Sequence, residues 1–468
     1  MTIRLRALTI SALSVFLATS AFARPGDSEP GAAAAKNRLA GKRAADRILT
    51  ASDAERRTVP ESALAMAMRR HGMRRAALRA SFVKSHTDTY THELAQGPIR
   101  DQAQSGRCWI FATLNVIEQD VKLRTGKAVK LSRAYIDAKN LQATAYEMIK
   151  DGADVAGLRS LSDNNIGEGG QFSWATQIAD KYGQVPEHVM RDFADNKAST
   201  VAIKMLQTLV VDAQEKLRAT DRLSAEGMAI AQKAHKDIDR VIARAFTGNE
   251  KLPESFIVDG KDYTPQTYAA ELGAKSSQYV TLKDQKAVRI GWREQGAGVH
   301  KHSTYNTGDV EVMKQAVRNA IDQGKKVYVA APVGEEGSPY MSNAEAYGGL
   351  PAAKGIMSIG AHDYETLGVG HALTDRETIQ RTGLNSANHA MTITGYDLGK
   401  DGKVIKWKVE NSWGEKAADK GIQHMYDDFF TAFVSDVSVP TTALPKGLLP
   451  KIVEDLKRRN EFTWALEK

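Results

Sequence analysis

The sequence of 468 residues contains a single cysteine, Cys108, which excludes an intramolecular disulfide and a cysteine-based zinc site. It also lacks any apolar run of the ~18–20 residues that a membrane-spanning helix needs, which excludes a multi-pass membrane protein. The 64 basic and 56 acidic residues leave a net charge of +8, which at this length favours solubility more than binding to anionic partners. With 42% hydrophobic and 26% charged residues, the composition is that of a globular protein and not of a wholly disordered chain.

Residues 1–23 have the order of a secretory signal peptide. Two arginines lie near the start, a largely apolar stretch follows over residues 7–19, and Ala21-Phe22-Ala23 has small residues at the two positions that a signal peptidase reads. We therefore expect cleavage after Ala23, no membrane anchor, and a secreted or periplasmic protein. Because such compartments favour disulfides, an unpaired thiol there is either buried and inert or has a function.

Breakers and hydrophobic patterns predict helices early in the chain and strands late. Residues 36–79 are basic and alanine-rich, which predicts helix, and their lack of interleaved aromatic residues favours a solvated helix face over a nucleic-acid contact. Residues 198–245 contain few breakers and predict a long helical hairpin. Short runs rich in valine, isoleucine or aromatic residues predict strands at 327–333, 391–396 and 404–409.

The segment around the cysteine, residues 101–109, has features that suit a reactive thiol but do not by themselves decide for one. The apolar spacing that follows predicts a helix that begins near Cys108, and free N–H groups at a helix N-terminus lower the pKa of a thiol. Gly106 allows a substrate backbone to approach closely. Gln102 can lie across this loop and form, with the Cys108 backbone N–H, an oxyanion hole of two donors. The alternative is a buried, inert cysteine.

A histidine and an asparagine in the predicted strands are candidate partners of this thiol. His389 opens one predicted strand, and Asn411 follows the end of the next. If the two strands pair antiparallel, Asn411 lies beside His389 and its side-chain oxygen can hold one ring nitrogen. Trp413 could then cover that hydrogen bond. The alternatives are a half-buried strand histidine and a turn asparagine before Gly414.

Other histidines are weaker candidates for chemistry. His300 and His302 are spaced like two metal ligands, but no third ligand lies nearby in the sequence, so we expect loop residues and no metal site. His362, His371 and His424 could serve as a base, but no Asn-Ser-Trp unit follows any of them. We expect structural or surface roles for these three.

Taken together, the segments resemble the papain-like cysteine peptidases, and specifically their bleomycin hydrolase and aminopeptidase C branch. The resemblance rests on four motifs: Gln102 with Ser105-Gly106-Arg107-Cys108-Trp109, Gly169-Gly170-Gln171, His389-Ala390-Met391, and Glu410-Asn411-Ser412-Trp413-Gly414. It implies that Cys108 is the nucleophile, His389 the acid/base, Asn411 the residue that orients it, and Gln102 an oxyanion donor. It further implies substrate-binding roles for Gly169, Gly170, Gln171 and Trp413.

The resemblance implies an α+β, papain-like fold of two lobes, one helical and one antiparallel and β-barrel-like, with a large helical insertion. The expected division is a signal peptide (1–23), a partly helical N-terminal extension (24–96), the helical lobe with the nucleophile (97–195), the helical insertion (196–300), and the β-rich lobe with His389, Asn411 and a C-terminal arm (301–468).

The activity that the resemblance implies is that of a cysteine exopeptidase, an aminopeptidase, acting on peptides through an acyl-enzyme and without a cofactor. It also implies a homohexamer and a C-terminal arm that lies in the cleft. Phe462, Trp464 and Leu466 alternate with polar residues, which predicts an extended arm. Two alternatives stay open: a papain-like endopeptidase with an open cleft, and a nucleic-acid- or surface-binding protein on a peptidase fold.

Overall fold

The computed structural model describes Ala40 and residues 42–151, 166–192, 198–286, 288–296, 298–334, 337–341, 354–369 and 375–466. The expected signal peptide over residues 1–23 and His371 lie outside these described residues.

The helices in these ranges are α1 (Asp53–Arg56), α2 (Glu61–His71), α3 (Met73–Ala77), α4 (Ala80–Ser85), α5 (Cys108–Thr125), α6 (Arg133–Asp151), α7 (Phe172–Tyr182), α8 (Ala198–Arg218), α9 (Ala225–Thr247), α10 (Pro265–Leu272), α11 (Val310–Asp322), α12 (Arg376–Thr382), α13 (Asp427–Phe433) and α14 (Leu448–Leu466). The strands are β1 (His92–Glu93), β2 (Phe256–Val258), β3 (Lys261–Tyr263), β4 (Tyr279–Lys283), β5 (Gly291–Gln295), β6 (His302–Asn306), β7 (Val327–Ala331), β8 (Ile356–Met357), β9 (His389–Leu398), β10 (Val404–Glu410), β11 (Ile422–Tyr426) and β12 (Asp436–Pro440). None of the helices within the described ranges is long and apolar enough to cross a lipid bilayer.

One large sheet organises the chain, with the strand order β5-β6-β4-β12-β7-β9-β10-β11-β8 and β1 added beside β9. The pairs β4–β6 and β8–β11 are parallel, and the other pairs are antiparallel. In the part of the chain that is described, the end strands β5 and β8 do not pair with each other. The sheet of the β-rich lobe is therefore mostly antiparallel, as expected, with two parallel pairs, and its described strands do not close into a barrel.

The sheet separates two hydrophobic cores. On β7 and β9, Tyr328 and Ala390 belong to the core formed with helices α5 to α9, whereas their neighbours Val329 and Met391 belong to the core on the other face. This alternation arises because successive side chains of a strand point to opposite faces of the sheet. A helical half that carries Cys108 thus packs on a β-rich half, which confirms the α+β class.

Several predicted elements are confirmed. Helices α8 and α9 form the hairpin predicted over residues 198–245 and pack against each other. Strands β7, β9 and β10 coincide with the three predicted strands. Helices α2 and α3 lie in the alanine-rich stretch over residues 36–79, and Leu64 and Ala67 of α2 are buried in the second core.

The region expected as a helical insertion, residues 196–300, is only partly helical. Its α-helices end at Leu272 with α10, and the chain then enters β4 and β5. Both strands join the large sheet, where β4 pairs with β6 and β12 and β5 pairs with β6. The sequence Tyr279–Lys283 suits this position because β-branched and aromatic residues favour buried strands.

The prediction of an extended backbone over residues 462–466 is wrong, because α14 continues as a helix to Leu466. Ile452 is buried, and Leu448 and Leu456, one turn before and after it, pack against the same core. This i, i+4 spacing places one apolar face of a helix on the protein. Helix α14 contacts β5, an edge strand that is separated from β9 by β6, β4, β12 and β7.

Candidate active site

The loop before α5 is held by polar bonds among its own residues. Ser105 Oγ donates to the Gln102 carbonyl at 2.6 Å, and Arg107 Nε donates to Ser105 Oγ at 3.0 Å. Arg107 is the N-cap residue of α5, and the helix begins at Cys108, as predicted. No side chain caps this helix, so its first backbone N–H groups are not taken by a capping group.

The strand pairing brings His389 and Asn411 together. β9 begins at His389, β10 ends one residue before Asn411, and the two strands are antiparallel. His389 Nε2 lies 2.8 Å from Asn411 Oδ1, and the same oxygen accepts the Ser412 backbone N–H at 2.8 Å. A flipped amide would set its NH₂ group against two N–H donors, so the oxygen is assigned by its partners. Nε2 therefore carries the proton, and Nδ1 is left as the acceptor.

Trp413, the residue expected to cover this hydrogen bond, packs its ring on that of His389. Its ring lies 4.7 Å from the His389 ring, centroid to centroid, with 36° between the planes. Asn411 is only 2% exposed. The His389–Asn411 bond is thus shielded from water, which strengthens it relative to an exposed bond.

The helix that begins at Cys108 packs on β9, and the backbone N–H of Ala390, the second residue of β9, favours the charged form of the Cys108 thiol and so lowers its pKa. Burial raises the pKa of the Cys108 thiol, and this effect exceeds the lowering by the N–H groups of Ala390, Trp109 and Cys108 itself. The expectation that the helix N-terminus gives this thiol a lowered pKa is therefore wrong for the cysteine taken alone. The desolvation of a thiolate outweighs the dipole of the helix.

Burial also lowers the pKa of His389 to about 4, and the hydrogen bond to Asn411 opposes this only in part. Near neutral pH each of the two groups, taken alone, favours its uncharged form. A thiolate at Cys108 and an imidazolium at His389 are stabilised only as a pair, because each supplies the opposite charge that compensates for burial of the other.

Gln102 links the cysteine loop to the segment after Asn411. Its backbone N–H donates to the Ser412 carbonyl at 2.8 Å, and its Oε1 accepts from Ser412 Oγ. Its Nε2 donates one proton to the Ser105 carbonyl at 2.6 Å. Because an amide nitrogen has two protons, one remains for another acceptor near Cys108.

The loop before α7 packs on the cysteine segment through Gly170. A Cβ at Gly170 would lie 2.5 Å from the Trp109 ring, so only glycine fits there without a shift. Gly169 is exposed, and a Cβ on it would meet no atom within 4 Å. Gln171 is the N-cap residue of α7, but its side chain makes no capping bond. Of these three predicted site residues, Gly170 packs directly on the cysteine segment, against the Trp109 ring.

Glu168 is a further site residue that the sequence reasoning missed. Its carboxylate accepts from the Gly106 N–H at 2.6 Å and from Ser199 Oγ, and its carbonyl accepts from Trp109 Nε1 at 2.5 Å. It therefore fastens the α7 loop to the residues on both sides of the cysteine. In the sequence, only its position directly before Gly169 could have marked Glu168 as a site residue.

A second unforeseen cluster lies behind the cysteine. Arg107 forms an ion pair with Asp192 and lies 3.9 Å from the fully buried Asp137. Burial raises the pKa of Asp137 to about 7, although the Arg107 charge opposes this. These three residues come from separate segments, so no spacing in the sequence indicated the cluster.

The other candidate histidines that lie within the described residues have structural partners. His362 Nδ1 is 2.9 Å from the Ser358 carbonyl, and His424 lies between Tyr90 and Asp419. In the same way, His300 contacts Glu147 and Asn140, and His302 contacts Ser173. Among the described residues, no group of three or more histidine, cysteine or acidic side chains is arranged to hold a metal ion.

A family model spans the whole of this site. The model of the Peptidase C1-like family matches residues 49–460. The chain belongs to this family. It is accordingly an enzyme, a cysteine peptidase, and Cys108 is its single cysteine.

Individual relatives of the peptidase agree with this assignment. Aminopeptidase W of Lactobacillus delbrueckii subsp. lactis is 26% identical over 430 residues, which cover 82% of this chain and 90% of that protein. Bleomycin hydrolase of Mus musculus is 24% identical over 434 residues, which cover 82% and 90%. The crystal structure of PepW from Lactobacillus rhamnosis aligns with a TM-score of 0.72 at 25% identity, over 86% of this chain and 92% of that one. The resemblance to the bleomycin hydrolase and aminopeptidase C branch is confirmed.

Replacing Gly170 by alanine tests the packing of the α7 loop on the cysteine segment. The new Cβ would overlap the Trp109 ring, so the loop has to move, and we expect kcat/KM for peptide hydrolysis to fall about tenfold or more. Gly169→Ala is the matched control, because its Cβ enters open space, and it should retain most of the activity. Similar losses in the two variants would contradict this interpretation.

Proposed function

We propose that the peptidase is an aminopeptidase that cleaves peptides through the Cys108 thiol, with His389 as acid/base and Asn411 as the residue that orients it. One observation carries the proposal. The ring of His389, the first residue of β9, is held by the 2.8 Å bond to Asn411, and the helix that begins at Cys108 packs on β9. This arrangement supports a nucleophile, a base and an orienting acceptor acting together.

In the proposed reaction, the thiol proton of Cys108 passes to His389 Nδ1, and the resulting thiolate attacks the carbonyl carbon of the scissile bond. The carbonyl oxygen becomes an oxyanion, which accepts from the remaining Gln102 Nε2 proton and from the Cys108 backbone N–H. His389 then returns the proton to the leaving amine, and the C–N bond breaks. The product is an acyl-enzyme with a thioester at Cys108.

Water completes the cycle in the proposed scheme. His389 takes a proton from the water that attacks the thioester, the C–S bond breaks, and the proton returns to the Cys108 sulfur. Because Nε2 of His389 donates to Asn411 throughout, Nδ1 alone exchanges protons. The loop around Gly170 lies beside Trp109, where it can pair with the substrate backbone.

Single substitutions separate these roles. Cys108→Ala should abolish hydrolysis, because water cannot replace the thiolate, and residual turnover above about a tenth of wild type would refute the assignment.

His389→Ala should lose as much activity, and the alkylation of Cys108 by iodoacetamide at neutral pH should slow in this variant, because the buried thiol then keeps its raised pKa. Asn411→Ala should lose less, since Asn411 transfers no proton. Equal alkylation rates in wild type and His389→Ala would contradict the proposal that His389 stabilises the Cys108 thiolate.

The choice between an aminopeptidase and an endopeptidase depends on what limits the cleft. The expected terminal arm is a helix on the β5 edge as far as it is described, and this observation favours the endopeptidase as the second candidate. Relatives named aminopeptidases favour the first. Glu168 supports it as well, because its carboxylate contacts Gly106, two residues before Cys108, and a carboxylate there can accept a substrate ammonium group.

Paired substrates decide between these candidates. We expect fluorogenic amino-acid amides with a free amine to be cleaved at least about tenfold faster than their N-acetylated forms, since a charge-assisted hydrogen bond is lost on acetylation. Glu168→Gln should reduce this preference, measured as the ratio of kcat/KM for the free and the acetylated substrate, beyond any loss common to both that comes from the weakened bonds to Gly106 and Ser199. Equal cleavage of free and acetylated substrates by the wild type would establish the endopeptidase instead.

We also propose that the peptidase is exported, with peptides as its substrates in a secreted or periplasmic setting, and that it assembles as a homohexamer. The proposal of export rests on the signal-like order of residues 1–23, which lie outside the described residues. Mass spectrometry of the mature protein should find Arg24 at the N-terminus. An intact N-terminus at Met1 in the exported fraction, or retention in the cytoplasm, would contradict the proposal.

A further inference from the structure

Glu410, the residue before Asn411, has a carboxylate that joins three structural elements in the interior. It is 4% exposed. Its Oε1 accepts from Asn115 Nδ2 at 2.9 Å, and its Oε2 accepts from Lys326 Nζ at 2.7 Å. Asn115 is itself oriented, because its Oδ1 accepts from Arg133 Nη2 at 2.8 Å.

Each of these contacts leads to an element that carries a residue of the proposed site or pairs with one. Asn115 lies on α5, about two turns after Cys108. Lys326 directly precedes β7, whose last residue, Ala331, pairs with His389 on β9. Glu410 itself ends β10 next to Asn411. One buried carboxylate therefore contacts the nucleophile helix and the strands that hold the base.

We propose that Glu410 is a positioning residue that, through Asn115 and Lys326, fixes the position of Cys108 relative to the His389–Asn411 pair. This inference rests on the proposed function, since it concerns the same three residues. Glu410 touches none of the reacting atoms in the proposed scheme, and its effect on the reaction is through the elements that it joins.

Apolar packing alone would fix the position of α5 on the sheet less precisely than the hydrogen bonds to Glu410 do. Helix α5 contacts the sheet through apolar side chains such as Ile110 and Leu114, in the same core as Tyr328 and Ala390. Such contacts have little directional preference, so a helix can shift on a sheet at small cost. Buried hydrogen bonds to a charged group are directional and strong. Proton transfer is sensitive to such shifts, since a displacement of about 1 Å can cost about 10²-fold in rate.

Asn115→Asp is a sharp test, because it keeps the shape of the side chain and an acceptor for Arg133. It replaces the hydrogen bond to Glu410 by repulsion between two carboxylates, while Lys326 stays beside Glu410. We expect kcat on a free-amine amide to fall about tenfold or more with little change in KM. The pH profile of Cys108 alkylation should also move to higher pH, since the imidazolium is no longer well placed to stabilise the thiolate.

Two further variants distinguish a loss of positioning from a loss of stability. Glu410→Gln keeps an acceptor for one of the two donors, Asn115 or Lys326, and should retain more of the kcat than Glu410→Ala does. Asp284→Asn weakens another buried ion pair, in which Arg376 Nε lies 2.7 Å from Asp284 Oδ2, away from the site. This control should lower the melting temperature and leave both kcat and the alkylation profile unchanged.

The outcomes are distinguishable. If Asn115→Asp lowers the melting temperature as the control does but leaves kcat and the alkylation profile unchanged, Glu410 is only structural and the inference is overturned. If Asn115→Asp does not fold, Asn115→Ala takes its place with the same expected results. If wild type and Cys108→Ala hydrolyse peptides equally, the proposed function has failed instead, and the alkylation profile still reports whether Glu410 positions Cys108 against His389.

Discussion

The contact between the start of α5 and the start of β9 is the constraint on which the rest of the site depends. It buries a thiol and an imidazole that come from opposite halves of the molecule, and burial drives the pKa of Cys108 upward and that of His389 down to about 4. Neither group is suited to carry its charge alone. Reactivity is therefore a property of the contact, and anything that shifts the helix on the sheet changes it.

Much of the surrounding structure maintains this contact. Gln102 ties the loop before α5 to the segment after β10, while Glu168 fastens the α7 loop to Gly106 and Trp109. Trp413 excludes water from the His389 bond. These are polar or close-fitting contacts made by few side chains, whereas the two cores on either face of the sheet supply the bulk of the stability through apolar burial.

The elements far from the contact differ most from what the sequence predicted. Segment 196–300 contributes β4 and β5 to the sheet, and residues 462–466 continue a helix. In both cases the local sequence pattern competes with long-range packing. In segment 196–300 the long-range contact is the pairing of β4 with β12, and in the C-terminal segment it is the packing of α14 on β5. The helical hairpin was predictable because its long, unbroken pattern needs no distant partner to be recognised.

By itself the sequence indicated the start of a helix at Cys108 and the pairing of His389 with Asn411. The helix that begins at Cys108 is local, and β9 and β10 are consecutive strands, so their antiparallel pairing brings His389 to Asn411 through a short connection. Only the tertiary structure decided the protonation balance and the link from Asn115 to Glu410, two residues 295 positions apart in the chain. Desolvation and contacts of that range depend on how whole elements pack, which no local pattern of residues encodes.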